Sequence, residues 1–155
     1  MPKTIQAGLD AAGLRVALVA SRFNGSIVSL LIGGATDCLL RHGAKEEEIT
    51  LIRVPGAFEI PNVVQRLATA RKHDAIVALG VLLRGETPHF DLIAAEVTRG
   101  LGETARISGV ALGFGILTAE SSEQALDRAG GKMGNRGWDA AQAAIEMARL
   151  GRELG

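Results

Sequence analysis

Aromatic residues are scarce in this chain of 155 residues, with four phenylalanines, one tryptophan and no tyrosine. So few rings, and seventeen basic residues matched by seventeen acidic ones, exclude the basic face and stacking platform of a nucleic-acid binder. A single cysteine, Cys38, cannot close an intrachain disulfide, and its place in an apolar helical pattern makes a buried, inert thiol the ordinary reading. No uncharged apolar run reaches the roughly 18 to 20 residues that a membrane helix requires, so no membrane partner is expected. Residues 1–6 are followed by no apolar block with a small-residue cleavage site, which makes the cytoplasm the expected location. Internal repeats, linkers and low-complexity tracts are missing as well.

What is abundant is apolar aliphatic residue: 47% of the chain is hydrophobic. The length suits one domain, residues 1–155 with 1–13 as an N-terminal extension, and leaves no room for a second substrate domain. A domain this small and this apolar carries more oily surface than a monomer normally exposes, which favours burial between subunits.

The hydrophobic pattern alternates between two periods. Residues 14–21, 49–54, 75–83 and 110–117 are short apolar runs bounded by turn residues, as expected of strands buried on both faces. Between them, 26–42, a segment with Pro61 in its first turn, and 88–107 follow helical spacing; Gly100 and Gly102 threaten the far half of the last. Leu30 and Leu40 fall off the apolar stripe of the first helix, which again points to neighbouring subunits. Ser121-Ser122-Glu123 caps a helix to Ala129, and Gly130-Gly131 breaks the chain before a last helix from about Gly137 to Leu154. Strands alternating with helices imply parallel pairing through right-handed crossovers. The expected fold is a three-layer α/β/α sandwich with a four-stranded parallel sheet in flavodoxin-like order 2-1-3-4.

Ligands of such sheets bind beyond the carboxyl ends of the strands, and there this sequence places residues that a scaffold does not need. Glu59 precedes a helix, where its carboxylate either caps amides or accepts hydrogen bonds from a ligand. Phe23 and Phe58 are loop rings, either filling a core or an interface or stacking on a flat heterocycle. Gly85-Glu86-Thr87 before a helix offers amides and a hydroxyl to a phosphate. His89, in the first turn of that helix, is either structural or a neutral imidazole able to accept a proton. Arg128, Lys132 and Arg136 recur every four residues, as a solvated stripe or as an anion site built on a bent chain.

Taken together, Arg22-Phe23-Asn24, Val54-Pro55-Gly56-Ala57-Phe58-Glu59-Ile60-Pro61, Arg84-Gly85-Glu86-Thr87-Pro88-His89-Phe90 and Glu123-Gln124-Ala125-Leu126-Asp127-Arg128-Ala129-Gly130, continuing to Gly134-Asn135-Arg136-Gly137, resemble the lumazine synthase family over about residues 14–150. The resemblance implies condensation of 5-amino-6-(D-ribitylamino)uracil with 3,4-dihydroxy-2-butanone 4-phosphate, the penultimate step of riboflavin biosynthesis, with no cofactor and no metal. It implies that Phe23 stacks on the pyrimidine, that Asn24, Ala57 and Phe58 line the site, and that Glu59 holds ribityl hydroxyls. Val81, Leu82 and Leu83 form the floor, and Phe114 reaches a neighbour's pocket. Gly85, Glu86 and Thr87 contact the phosphate, with Lys132 as a further candidate and Arg128 closing from an adjacent subunit, while His89 moves protons. Arg136 stands where many members have lysine and receives no role. The uninterrupted run 130–135 implies pentamers assembled into a sixty-subunit shell, with riboflavin synthase as its guest. Two rivals remain: a non-catalytic flavin or lumazine binder, which releases no phosphate from the two substrates, and a structural cage, which tolerates changes at Phe23, Glu59, His89 and Arg128.

Overall fold

A computed structural model describes residues 1–85 and 88–155. The two most apolar strands lie at the centre of the sheet. β1 (Val16–Ser21) and β3 (Ala75–Leu83) are buried at every position and pair with each other in parallel. β2 (Ile49–Val54) flanks β1 on one side and β4 (Ala111–Ala119) flanks β3 on the other, so the order is β2-β1-β3-β4, parallel throughout. A strand that is apolar on both faces needs helices above and below. α1 (Gly25–Arg41) and α5 (Arg136–Leu154) cover one face, with Leu31 and Ile145 packing on Leu18 and Val77. α2 (Ile60–Ala70) and α3 (Phe90–Ser108) cover the other, with Ile60 and Val97 on Val19 and Ile76. This is the expected three-layer, flavodoxin-like arrangement. Residues 1–13 contain no helix or strand, and among the described residues no helix is long and apolar enough to cross a membrane.

Cys38 lies on the buried face of α1, and burial first, then Asp37 and Asp139, pushes its thiol up to about 11, as an inert role requires. Leu30 and Leu40 remain exposed.

Several boundaries differ from the sequence reading. α3 is continuous through Gly100 and Gly102. A Cβ at Gly100 would lie 3.0 Å from the Cβ of Pro61, so the glycine lets α3 run close against α2, and that packing outweighs its poor helix propensity. α3 also begins at Phe90, which makes His89 its N-cap rather than a first-turn residue. β4 keeps Thr118 and Ala119, which pair with Leu82 and Leu83 of the long central strand. α4 (Ser122–Asp127) is capped by the Ser121 hydroxyl, which accepts from the Gln124 amide, and it ends two residues early.

There the chain turns back as a small antiparallel hairpin, β5 (Ala129–Gly131) with β6 (Gly134–Asn135). Gly130 and Gly134 have φ of +115° and +82°, a backbone that side chains rarely allow, so the reversal depends on them. Asn135 then caps α5: its Oδ1 accepts from the amides of Gly137 at 2.8 Å and Trp138 at 3.1 Å, and its Nδ2 donates to the Leu30 carbonyl at 3.1 Å. A Cβ at Gly137 would collide with the backbone of Leu31, so glycine sets the close approach of α5 to α1.

Candidate active site

The backbone joins the first two loops of the carboxyl edge. Beyond β1 and β2, the Arg22 amide donates to the Val54 carbonyl at 2.7 Å and the Phe23 amide to the Pro55 carbonyl at 3.1 Å, extending the pairing past both strands. Phe23 therefore lies beside the 55–59 loop. Phe23 is 60% exposed and Phe58 61%, so neither ring fills this chain's core and the choice narrows to an interface or a stacking partner. Ala57, between Gly56 and Phe58, is buried and anchors that loop.

Glu59 stands at the start of α2, yet its carboxylate caps no amide. It folds back over Gly56, where a Cβ would lie 3.4 Å from its Oε1, and it is half-buried. The capping explanation thus fails, and the acceptor oxygens stay at the carboxyl edge of the sheet.

Asn24 takes a left-handed conformation with φ of 59°, and its Nδ2 donates to the Val81 carbonyl at 3.3 Å. Val81, Leu82 and Leu83 are all buried, Val81 and Leu83 in the core under α1 and α5 and Leu82 in the core under α2 and α3. Their side chains belong to the core, so a floor for a ligand here consists of backbone.

Gly85 follows with φ of +93°. Glu86 and Thr87, two of the expected phosphate contacts, lie outside the described residues. His89 is exposed at the N-cap of α3, and its carbonyl accepts from the Ile93 amide at 2.9 Å. A helix N-terminus of this length presents amides and a positive dipole to an anion.

Arg84, to which sequence reasoning gave no role, joins two elements at this edge. Its Nε donates to Glu120 Oε1 at 3.0 Å, Nη1 and Nη2 each donate to Asp91 at 3.3 Å, and its guanidinium lies 4.5 Å over the Phe90 ring. Hydrogen bonds to Asp91, then to Glu120, raise its pKa above the ordinary value. Acids after β4 and in the first turn of α3 were the available signal, but only the fold brings them to one arginine.

Beyond β4, Arg128, Lys132 and Arg136 do not share a helix face. Arg128 is the C-cap of α4, half-buried, with Nη1 donating to the Gln124 carbonyl at 3.2 Å. Lys132 is exposed in the hairpin turn, 3.8 Å from Asp127, and Arg136 opens α5. The Arg136 amide donates to the Arg128 carbonyl at 2.8 Å, so the bend brings the outer two backbones together and the stripe reading fails.

Phe114 is not gathered with the rest. It lies midway along edge strand β4, paired with Ala78, on the sheet face of α3 but 48% exposed. Among the described residues no group of three or more His, Cys, Asp or Glu side chains is arranged to hold a metal.

A cavity of 650 Å³ opens at the opposite, amino edge, lined by Arg15, His73, Asp74 and Arg152 among others. None of Phe23, Phe58, Glu59, His89 or Arg128 lines it. The rings, the carboxylate, the histidine and the helix N-terminus all stand at the carboxyl edge, which is therefore the candidate site.

Fold and loops define a flavodoxin-like α/β protein that presents ligand-binding groups at the carboxyl edge of a parallel sheet. Within that class, the chain belongs to the 6,7-dimethyl-8-ribityllumazine synthase family, whose model matches residues 13–152. Relatives named 6,7-dimethyl-8-ribityllumazine synthase include one from Chlorobaculum tepidum, 53% identical over 152 residues and 98% of each chain. Another, from Nitratidesulfovibrio vulgaris, is 52% identical over 98% of this chain and 97% of its own, and one from Chlorobium chlorochromatii is 51% identical over 97% of each. The chain is accordingly an enzyme of riboflavin biosynthesis with small-molecule substrates.

Proposed function

We propose that this enzyme condenses 5-amino-6-(D-ribitylamino)uracil with 3,4-dihydroxy-2-butanone 4-phosphate, releasing inorganic phosphate and water and forming 6,7-dimethyl-8-ribityllumazine, without a cofactor or metal. The observation that carries the reading is the placement of Phe23, Phe58, Glu59 and His89 on three loops of one sheet edge in a chain of this family.

Phe23 stacks on the pyrimidine, with Asn24, Ala57 and Phe58 around it; Glu59 accepts from ribityl hydroxyls; the backbone of residues 81–83 lies beneath. The phosphate sits near Gly85, Glu86 and Thr87 at the N-terminus of α3. His89, next to it, transfers protons as the imine forms and phosphate leaves. Holding both substrates together supplies much of the rate.

One chain offers only part of this site. The rings of Phe23, Phe58 and Phe114 lie open, as do Leu30 and Leu40, which supports burial against other copies. Arg128 and Phe114 then act in a neighbour's site, Lys132 assists with the phosphate, and the chains assemble as pentamers into a sixty-subunit shell that takes riboflavin synthase as guest. Purified protein given both substrates is expected to produce lumazine fluorescence and free phosphate in equal amounts, in particles whose size by light scattering matches a shell. Binding of the heterocycle without phosphate release would replace the enzyme reading with that of a binder, and a monomer with full activity would remove the shared site.

A further inference from the structure

We propose that Arg84 is a positioning residue that holds His89 in place through the first turn of α3. The inference rests on the proton-transfer role of His89 given above. Arg84 is the residue after β3, and its guanidinium contacts Phe90 and Asp91, the two residues that follow His89, and also Glu120 just beyond β4. Its own amide donates to the Ala119 carbonyl at 2.9 Å, which locks the base of the side chain to the sheet.

One planar fork thus fixes the first turn of α3 to the ends of the two strands beside it. Arg84 is 48% exposed, Asp91 80% and Glu120 66%, and ion pairs this open add little to stability. A rigid, two-sided clamp of low energetic value at the edge of a reaction site is explained by geometry: a misplacement of about 1 Å costs up to a hundredfold in rate. Lysine cannot reproduce the clamp, because an ammonium is a point charge without the fork.

The test combines kinetics with hydrogen exchange on the full assembly. Arg84→Met is expected to lower kcat about tenfold while leaving KM for the uracil substrate within about twofold, and Arg84→Lys is expected to behave like Arg84→Met. In a His89→Ala background Arg84→Met should cost less than about twofold, because the group it positions is gone. Equal losses in both backgrounds, or full activity of Arg84→Lys, would overturn the proposal. Amide exchange over residues 93–96, the first amides of α3 bonded within the helix, should accelerate about threefold in Arg84→Met with β3 unchanged; unaltered exchange would overturn it regardless of turnover. That readout stands even if wild-type protein makes no lumazine, a result that would sink the reaction and not the clamp. Should Arg84→Met fail to fold, Asp91→Asn and Glu120→Gln each remove one arm and are expected to lower kcat about threefold, again only when His89 is present.

Discussion

The side-chain amide of Asn24 donates to the main-chain carbonyl of Val81 at 3.3 Å, tying the loop after β1 to β3 across 57 residues of sequence. The same residue holds φ of 59°, which asparagine tolerates better than most side chains. Two effects are thus combined at one position, and two substitutions separate them. Asn24→Gly keeps the backbone and loses the bond; Asn24→Ala loses both. Chemical denaturation should show a loss of about 1 kcal/mol for glycine and about 2 kcal/mol for alanine, and an alanine variant no less stable than the glycine variant would deny the strained backbone a role.

His89→Ala is expected to slow turnover on the order of 10- to 100-fold without abolishing it, at or below the lower bound of general acid-base contributions, because bringing the substrates together does much of the work. Arg128→Ala should be worse, since an anion then loses its charge-assisted partner. Steady-state rates from phosphate release decide the order, and equal or reversed losses would count against both roles.

Gly137→Ala places a methyl group against the Leu31 backbone, which cannot move aside as a side chain would. A loss of about 3 kcal/mol is expected, at the upper end for overpacking. Gly33→Ala in α1, where a Cβ meets nothing within 4 Å, serves as the control and should stabilise by about 0.5–1 kcal/mol through helix propensity. Urea titrations of the two variants beside the parent protein give the comparison.

Acid should destabilise the protein through His73 before it does so through carboxylates. Burial, then the charge of Arg15, holds the imidazole below its ordinary value of 6.5, and its Nδ1 is buried without a hydrogen-bond partner. The unfolded chain consequently binds the proton more readily. Stability is full above about pH 6.5 and declines as pH falls from there to the lower folded value. Asp74 follows at lower pH: burial pushes its carboxyl up, but the Arg15 hydrogen bonds outweigh that and hold it down, so its contribution is lost only as pH falls through its depressed value. His73→Gln should flatten the decline that begins below about pH 6.5 and leave the later loss in place. Denaturation midpoints at about pH 7.5 and about pH 5.5 that fall equally in both proteins would assign the sensitivity elsewhere.

Much of the site could be read from the chain because its residues sit at the strand ends of a regular α/β alternation. Phe23, Glu59 and His89 each follow a strand that the apolar runs locate within a few residues, so their common edge follows once the strands are parallel. Phe114 lies mid-strand, where alternation alone gives it a face but no partner. The cations after β4 were visible, but their arrangement was not, since Gly130 and Gly134 convert a four-residue repeat into a hairpin.

Hydrophobic periodicity was enough to determine four strands and the helices between them, because each element must bury its own local pattern; the order 2-1-3-4 was expected from the flavodoxin-like fold and is realised by the pairing of the strands. Tertiary structure alone decided that Glu59 caps no amide, that α3 survives two glycines, and that Asn135 reaches Leu30, 105 residues away. It also decided that Arg84 meets both Asp91 and Glu120. The division has a physical cause: periodicity records which face of an element is apolar, whereas polar side chains choose partners by proximity, and proximity across the sheet exists only after the strands have paired.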